Sequence, residues 1–343
     1  SEPVTGFTNA DLVGNFGGTA APTTAVITTG SGTTYNVAIS GMAADGTVTL
    51  SLPANIAQDS TGNNNTASTS SDNTVTYDTA RPTVTINQAA GQVDPTSTSP
   101  INFTVTFSEP VTGFANADIN LTGTAGATTV LVTGGPTTYN VAVSGMTGSG
   151  TVTPFVFVNA AQDAAGNSSF ASTSSDNTVT FDNTPLTVTI NQDAGQSDPT
   201  GTAPINFAVI FNKPINSATF TGVDVDLTGS TAPGTLTAVI TGSGSTYNVA
   251  VSGMTGSGTV VATIPVGSVQ DIAANSNLAS TSVDNIVTFD ATAPSVTVNQ
   301  SSLQADPTNG MPINFTVVFS EAVTGFTSAD VLTTGSTAPG TLT

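Results

Sequence analysis

A ten-residue segment occurs three times in this chain at nearly constant spacing. TTYNVAISGM begins at Thr33, TTYNVAVSGM at Thr137 and STYNVAVSGM at Ser245, so the two spacings are 104 and 108 residues. The same two steps relate the aspartates of TYDTARP, TFDNTP and TFDATAP, which are Asp78, Asp182 and Asp290. The chain is therefore built from a repeated unit of about 105 residues, the size of one small domain.

The composition favours strands and turns over helices. Thr, Ser, Gly and Asn fill most positions that are not hydrophobic, and charged residues make up only 7% of the chain. Apolar and polar residues alternate over residues 101–107 and again over 139–143. This period of two is typical of strands with one buried face.

Alternation and turn residues together predict seven short strands in the second unit. These are residues 83–88, 101–108, 118–121, 128–133, 138–144, 151–158 and 178–182. Seven such strands in roughly 100 residues are typical of an immunoglobulin-like (Ig-like) β-sandwich. The sequence thus predicts an all-β chain of tandem Ig-like β-sandwich repeats of about 105 residues, arranged end to end as an elongated rod.

The repeat boundaries predict four segments. Repeat 1 is residues 1–79 and lacks the first two strands, repeat 2 is 80–183, repeat 3 is 184–291, and repeat 4 is 292–343 with the first strands only. A partial repeat leaves an open sheet edge. One interpretation is a piece of a longer tandem array. The other is a filament in which one chain completes the partial repeat of the next by strand complementation.

Three motifs carry a resemblance to a known group of proteins. FSEPVTGF at residues 107–114, QDAAGN at 162–167 and the closing TFDxTxP resemble the bacterial Ig-like repeats of large cell-surface and adhesin proteins. The resemblance covers essentially the whole chain. It implies an extracellular or cell-surface location, and related surface repeats are often stiffened by calcium near domain junctions.

The recurring acids are predicted to meet where one repeat joins the next. Glu109 closes the second strand of repeat 2, and Asp163 and Asn167 lie in the connection before its last strand. Asp78 ends the last strand of repeat 1 and leads into repeat 2. In a sandwich whose strands run up and down, these positions share one pole, with Asp118 as a possible further member.

Carboxylates that lie close together repel each other unless a cation separates them. With no His or Cys in the chain, an all-oxygen site suits a hard ion, and flexible loops favour Ca²⁺ over Mg²⁺. The alternative is that these acids are solvated and keep the protein soluble. The candidate metal ligands over all junctions are Asp78, Glu109, Asp118, Asp163, Asn167, Asp182, Asp271, Asp290 and Glu321.

Lys213 stands where the equivalent segments have glutamate. FNKPINSATFTGVDV, residues 211–225, is the counterpart of FSEPVTGFANADI, and its lysine is the only one in the chain. By the same mapping Lys213 is predicted to meet Asp182 and Asp271, and its ammonium would supply part of the charge of a metal ion. The alternative is neutral drift at an exposed loop.

The charge balance excludes several functions. Two basic and 22 acidic residues give a net charge of −20, which opposes binding to nucleic acids and to anionic membranes. General acid–base catalysis usually draws on His, or on a carboxylate or Lys in a tuned pocket. The notable acids here recur in each repeat, whereas a catalytic site is expected once, so we expect no enzymatic activity.

The sequence therefore predicts a structural extracellular protein, a calcium-stiffened cell-surface stalk or filament that serves adhesion or surface architecture. The expected partners are neighbouring Ig-like repeats of a longer chain or other copies of it. The alternative function is an adhesin module that contacts a ligand or glycan directly. Repetition and the absence of Trp favour the structural role, because binding surfaces tend to be rich in aromatic residues and Arg.

Overall fold

The computed structural model describes residues 2–337, which form an all-β protein. Ser1 and residues 338–343, at the outer ends of predicted repeats 1 and 4, lie outside the described residues. The chain divides into two compact units, one of residues up to 184 together with 273–275, the other of 185–272 and the residues from 276 onward. No helix among the described residues has the length and apolar character needed to cross a membrane.

Most of the strands are short. Those of repeat 1 are β1 Val4–Thr5, β2 Phe16–Gly17, β3 Thr24–Ser31, β4 Thr34–Ser40, β5 Gly46–Leu50, β6 Gln58–Asp59 and β7 Thr74–Tyr77. Those of repeat 2 are β8 Val84–Gln88, β9 Ile101–Phe107, β10 Ile119–Thr122, β11 Thr129–Gly134, β12 Thr138–Ser144, β13 Gly150–Val156 and β14 Val179–Phe181. Those of repeat 3 are β15 Val188–Gln192, β16 Ile205–Phe211, β17 Gly234–Ser243, β18 Thr246–Met254, β19 Gly258–Val261 and β20 Ile286–Phe289. Repeat 4 has β21 Val296–Gln300 and β22 Phe315–Phe319.

Short 3₁₀ helices are the only helical elements among the described residues, and they lie in the connections. They are Asn9–Leu12, Asn116–Asp118, Ser217–Thr219, Gly222–Asp224 and Ser328–Asp330.

Repeat 2 is a sandwich of two antiparallel sheets. One sheet has the order β11-β12-β9-β8 and the other β10-β13-β14. This is the strand order of an Ig-like sandwich, with four strands facing three. All seven strands predicted for this repeat are present, and their ends differ from the prediction by at most two residues.

The core of repeat 2 follows from the alternation along β9 and β12. Phe103, Val105 and Val141 are fully buried, while the polar residues between them point outward. The core is continued by β-branched residues of β8, β13 and β14. Because the chain has no Cys and no Trp, this apolar packing replaces the disulfide and tryptophan that pin antibody domains.

Repeat 3 repeats this plan within its own unit. Its main sheet has the order β15-β16-β18-β17, and β19 pairs with β20. Phe207, Val249 and Val260 lie at the centre of its core and are fully buried. Between β16 and β17 the chain forms two 3₁₀ helices, Ser217–Thr219 and Gly222–Asp224, where repeat 2 has one such helix and strand β10.

Among the described residues, repeats 1 and 4 contain no four-stranded sheet of the kind found in repeats 2 and 3. In repeat 1, the sheets are β3-β4, β2-β5-β7 and β1-β6. Among the described residues, β4 pairs with β3 on one side only, whereas its counterpart β12 pairs on both. In repeat 4, β21 and β22 form a two-stranded ladder whose apolar residues are largely exposed, including Phe315 at 63%.

The two phenylalanines of the FSEPVTGF motif have a packing role. Phe107 and Phe114 stack edge to face with a centroid distance of 5.3 Å, and Phe114 meets Tyr139 at 5.0 Å. Such pairs are favourable beyond the area they bury. The aromatic cluster fixes the loop after β9 and therefore the backbone on either side of Glu109.

Candidate metal centre

Three carboxylates meet at the start of repeat 2. Asp78, Glu109 and Asp163 each offer one oxygen, and these three oxygens all lie within 4.8 Å of one another. Asp78 follows β7, Glu109 follows β9, and Asp163 lies between β13 and β14. The up-and-down course of the strands thus brings together the three acids that the sequence analysis predicted to converge.

Asp163 is held by the turn that its own side chain organises. Its Oδ1 accepts hydrogen bonds from the backbone N–H groups of Ala165 and Asn167, at 2.8 and 2.9 Å, and its Oδ2 accepts one from Asn167 Nδ2 at 2.9 Å. Burial acts to raise the pKa of Asp163, but these hydrogen bonds outweigh it, so the pKa lies below its usual value. The carboxylate therefore stays ionised although only 5% of the residue is exposed.

Among the described residues, the carboxylate of Glu109, unlike that of Asp163, is not stabilised by hydrogen bonds. Within the part of the chain that the structure describes, no hydrogen-bond donor or cation contacts its half-buried carboxylate. Burial, together with repulsion from Asp163 and Asp78, raises the pKa of Glu109 above its usual value. The side chain is thus a partly desolvated charge beside two like charges, which is unfavourable without a counter-ion.

Hydrogen bonds to backbone atoms hold the two loops and the linker of this site together. Thr112 N donates to Gln162 O at 2.7 Å, and Gln162 N donates back to Thr112 O at 2.9 Å. Asn167 Nδ2 also donates to the backbone oxygen of Asp78 at 3.1 Å. The loop after β9, the loop before β14 and the linker from repeat 1 are therefore fixed to one another.

Arg81 is a further residue of this region, and its contacts did not follow from the sequence patterns. Its Nε donates to Ser168 O at 2.6 Å, and its Nη2 donates to Ser169 O and to Asn159 Oδ1, both at 2.8 Å. The guanidinium lies 4.4 Å from the ring centroid of Phe170. As the only arginine in the chain, placed three residues after Asp78, it was a signal in the sequence for a linker contact.

The spacing and the chemistry of the three carboxylates fit a hard cation. Calcium is bound by oxygens at about 2.3–2.6 Å, so two oxygens on one ion are separated by about 5 Å at most. The 4.8 Å limit on the three carboxylate oxygens fits this spacing. The donors are all oxygens on loops, which suits Ca²⁺ better than Mg²⁺, because Mg²⁺ requires shorter and nearly octahedral contacts.

The other predicted ligands have different surroundings. Asp118 does not belong to the group of three, and its Oδ2 accepts a hydrogen bond from Ala115 N at 2.8 Å at the start of a 3₁₀ helix. Asp182 Oδ1 accepts from Thr184 N at 2.9 Å and Ser149 Oγ at 3.2 Å.

In the other unit, Asp290 Oδ1 accepts hydrogen bonds from Thr292 N at 2.9 Å and from Ser257 Oγ at 3.0 Å. These hydrogen bonds lower the pKa of Asp290 below its usual value. Glu321 is exposed. Metal binding by these residues stays a prediction.

Within its own unit, Lys213 contacts Asp271, which is one of its two predicted partners. The distance from Lys213 Nζ to Asp271 Oδ2 is 2.5 Å. Asp271 has a fully buried side chain, whereas 19% of the Lys213 side chain is exposed. The interpretation of Lys213 as drift at an exposed loop does not account for this contact.

A comparison with curated proteins finds no match to this chain. The model of one family, described as bacterial Ig-like domain, matches residues 78–180. This range includes all seven strands of repeat 2 except the last residue of β14, together with the three carboxylates. Residues 78–180 are therefore similar to a bacterial Ig-like domain, and the matched range begins at the candidate ligand Asp78.

Proposed function

We propose that this protein is an extracellular structural protein in which Ig-like repeats form an elongated, calcium-stiffened stalk or filament at the cell surface. The Ig-like sandwich of residues 78–180 is a structural rather than a catalytic fold, which supports this role. The strongly acidic surface keeps such a protein soluble and away from anionic lipids. Adhesion or surface architecture is the purpose that this combination fits best.

The observation that carries the calcium part is the unsatisfied charge of Glu109. Asp163 is already stabilised by the turn around it, and Asp78 Oδ1 accepts a hydrogen bond from Ala80 N at 2.9 Å. Glu109 adds a third carboxylate with no donor among the described residues. A divalent cation bound by the three oxygens would remove the repulsion and would join the linker to both loops of repeat 2.

Further repeats are the proposed partners. The second edge of β4 has no strand paired to it within the described range, and an edge of this kind can accept a strand from another repeat. That strand would come from a longer chain or from another copy. Sedimentation velocity over a range of concentrations tests the second source, and a monomer at all concentrations would argue against it.

The calcium proposal is tested by exchanging one carboxylate in the full chain. In excess chelator, Glu109→Gln should make repeat 2 more stable than the wild type, because the repulsion is gone. In calcium at about 100 times the Kd, the wild type should gain about 2.7 kcal/mol, and the variant should not. Hydrogen exchange followed by mass spectrometry reports this for repeat 2 separately from the other repeats.

Asp72→Asn is the matched control, because it removes one negative charge at an exposed position outside the group of three. It should leave the calcium response unchanged. Small-angle scattering of the wild type with and without chelator tests the stiffening itself. An unchanged distance distribution, together with unchanged exchange in repeat 2, would overturn the calcium part of the proposal.

A further inference from the structure

Repeat 3 places an ammonium group where repeat 2 has an uncompensated carboxylate. Lys213 stands two residues after the last residue of β16, as Glu109 stands two residues after the last residue of β9. Asp271 follows Gln270 as Asp163 follows Gln162. Asn216 N donates to Gln270 O at 2.9 Å, which corresponds to the 2.7 Å contact between Thr112 N and Gln162 O.

The loops at this end of the two repeats therefore share one backbone hydrogen bond but differ in charge. In repeat 2 the carboxylate of Glu109 faces that of Asp163, within the group of three acids. In repeat 3 the ammonium of Lys213 lies 2.5 Å from the carboxylate of Asp271.

The Lys213–Asp271 pair is a compensated buried charge. The Asp271 side chain is fully buried, and a carboxylate in that position is strongly unfavourable without a partner of opposite charge. The Lys213 side chain keeps 19% of its surface exposed, so desolvating it costs less than burying a lysine completely. The pair therefore satisfies Asp271 with a group that the chain itself supplies.

We infer that Lys213 is a built-in counter-ion that fixes the Asp271 loop of repeat 3 without a metal ion, so that calcium controls repeat 2 but not repeat 3. The comparison with repeat 2 rests on the proposed calcium site. The role of Lys213 toward Asp271 rests on the contact alone. One chain thus combines a segment whose rigidity follows the calcium concentration with a segment whose rigidity is permanent.

The experiment compares the two loops in the same full-length molecule. Hydrogen exchange is measured in chelator and in calcium for peptides that cover residues 157–167 and 265–275. The first peptide should exchange more slowly in calcium, by roughly tenfold or more, whereas the second should be equally protected in both conditions. Slower exchange of the second peptide in calcium would overturn the inference.

Lys213→Met tests the contact directly, because it keeps the length and apolar stem of the side chain and removes the charge. In chelator, exchange of the 265–275 peptide should become roughly ten- to a hundredfold faster than in the wild type, because Asp271 loses its counter-ion. Unchanged exchange would overturn the inference. If this variant does not fold, the reciprocal variant decides.

Glu109→Lys gives repeat 2 the charge pattern of repeat 3. In chelator it should protect the 157–167 peptide to at least the level that calcium gives the wild type, and calcium should add nothing further. Glu109→Gln is its control, because it removes the repulsion without adding an ammonium. If Glu109→Lys and Glu109→Gln exchange equally, the ammonium does not replace the metal ion, and the inference is overturned.

The outcomes separate this inference from the proposed function. A wild type in which neither peptide responds to calcium would contradict the calcium site in repeat 2. In that case faster exchange in Lys213→Met would still support the built-in counter-ion. A wild type that responds in repeat 2, combined with no effect of Lys213→Met, would contradict the counter-ion and leave the calcium site intact.

Discussion

The side-chain amide of Asn167 donates a hydrogen bond to the backbone oxygen of Asp78 across 89 residues of sequence, at 3.1 Å. The same nitrogen donates to Asp163 Oδ2 at 2.9 Å. One amide group therefore ties the linker from repeat 1 to the loop before β14. The contact orders the region around the three carboxylates without a metal ion.

Asn167→Ala should weaken the linker contact and the loop together. The expected cost is about 1–2 kcal/mol, because two hydrogen bonds are lost and one acceptor is a partly buried carbonyl. Asn63→Ala is the matched control, since among the described residues Asn63 Nδ2 bonds only to Asp59 and Thr61 of its own loop. Hydrogen exchange of the linker, residues 78–82, should become faster in Asn167→Ala and should be unchanged in Asn63→Ala.

Gly166 and Ala274 occupy equivalent positions of this loop in a left-handed backbone conformation, with φ of +91° and +68°. A Cβ at Gly166 would meet no atom within 4 Å, so the cost of Gly166→Ala is backbone strain alone. We expect a loss of about 1 kcal/mol for Gly166→Ala and a gain of up to about 1 kcal/mol for Ala274→Gly. Denaturant unfolding measures the free energy of unfolding of both variants. If the two substitutions change it in the same direction, this account is contradicted.

The strands and the meeting of the acids could be predicted from the sequence because both follow from periodic and topological rules. Alternation along residues 101–107 specifies which face is buried, and the up-and-down order of strands brings the loops after β9 and before β14 to one pole. The position of Asp78 then follows from its place at the end of β7.

Side-chain contacts between residues that are far apart in the sequence, or only a few positions apart, did not follow from these rules. Arg81 bonds to oxygens 78 to 88 residues away, and nothing in its neighbours specifies those partners. Asp118 is directed to a backbone N–H three residues before it, because a local hydrogen bond at a 3₁₀ helix competes with a more distant metal site. The pattern of acids alone does not distinguish these two uses.

Asp59 should show a strongly lowered pKa, because its turn in repeat 1 is hydrogen bonded to the carboxylate. Hydrogen bonds from the side chain and backbone of Asn63, and then from Thr61, lower the pKa of Asp59 from 3.8 to about 2. A lowered folded-state pKa stabilises the protein above the unfolded value, so the contribution is complete above pH 3.8 and is lost as the pH falls through 2.

An NMR titration of the Asp59 carboxyl carbon measures this directly. Both the backbone N–H and the hydroxyl of Thr61 donate hydrogen bonds to Asp59 Oδ1. Thr61→Val removes the hydroxyl donor, so the titration midpoint of Asp59 should move upward, toward 3.8. Ser60→Ala is the control, since the hydroxyl of Ser60 makes no hydrogen bond among the described residues. A midpoint near 3.8 in the wild type would contradict the prediction.

Arg81 should stabilise the junction through the shape of its guanidinium as well as its charge. Two of its nitrogens reach three oxygens, and the plane of the group lies over Phe170. A lysine has one nitrogen and cannot reproduce this fork. We expect Arg81→Ala to cost about 2–3 kcal/mol in repeat 2, and Arg81→Lys to recover less than half of that loss. Denaturant unfolding with an exchange readout for residues 159–170 measures both, and a lysine variant as stable as the wild type would show that charge alone accounts for the contact.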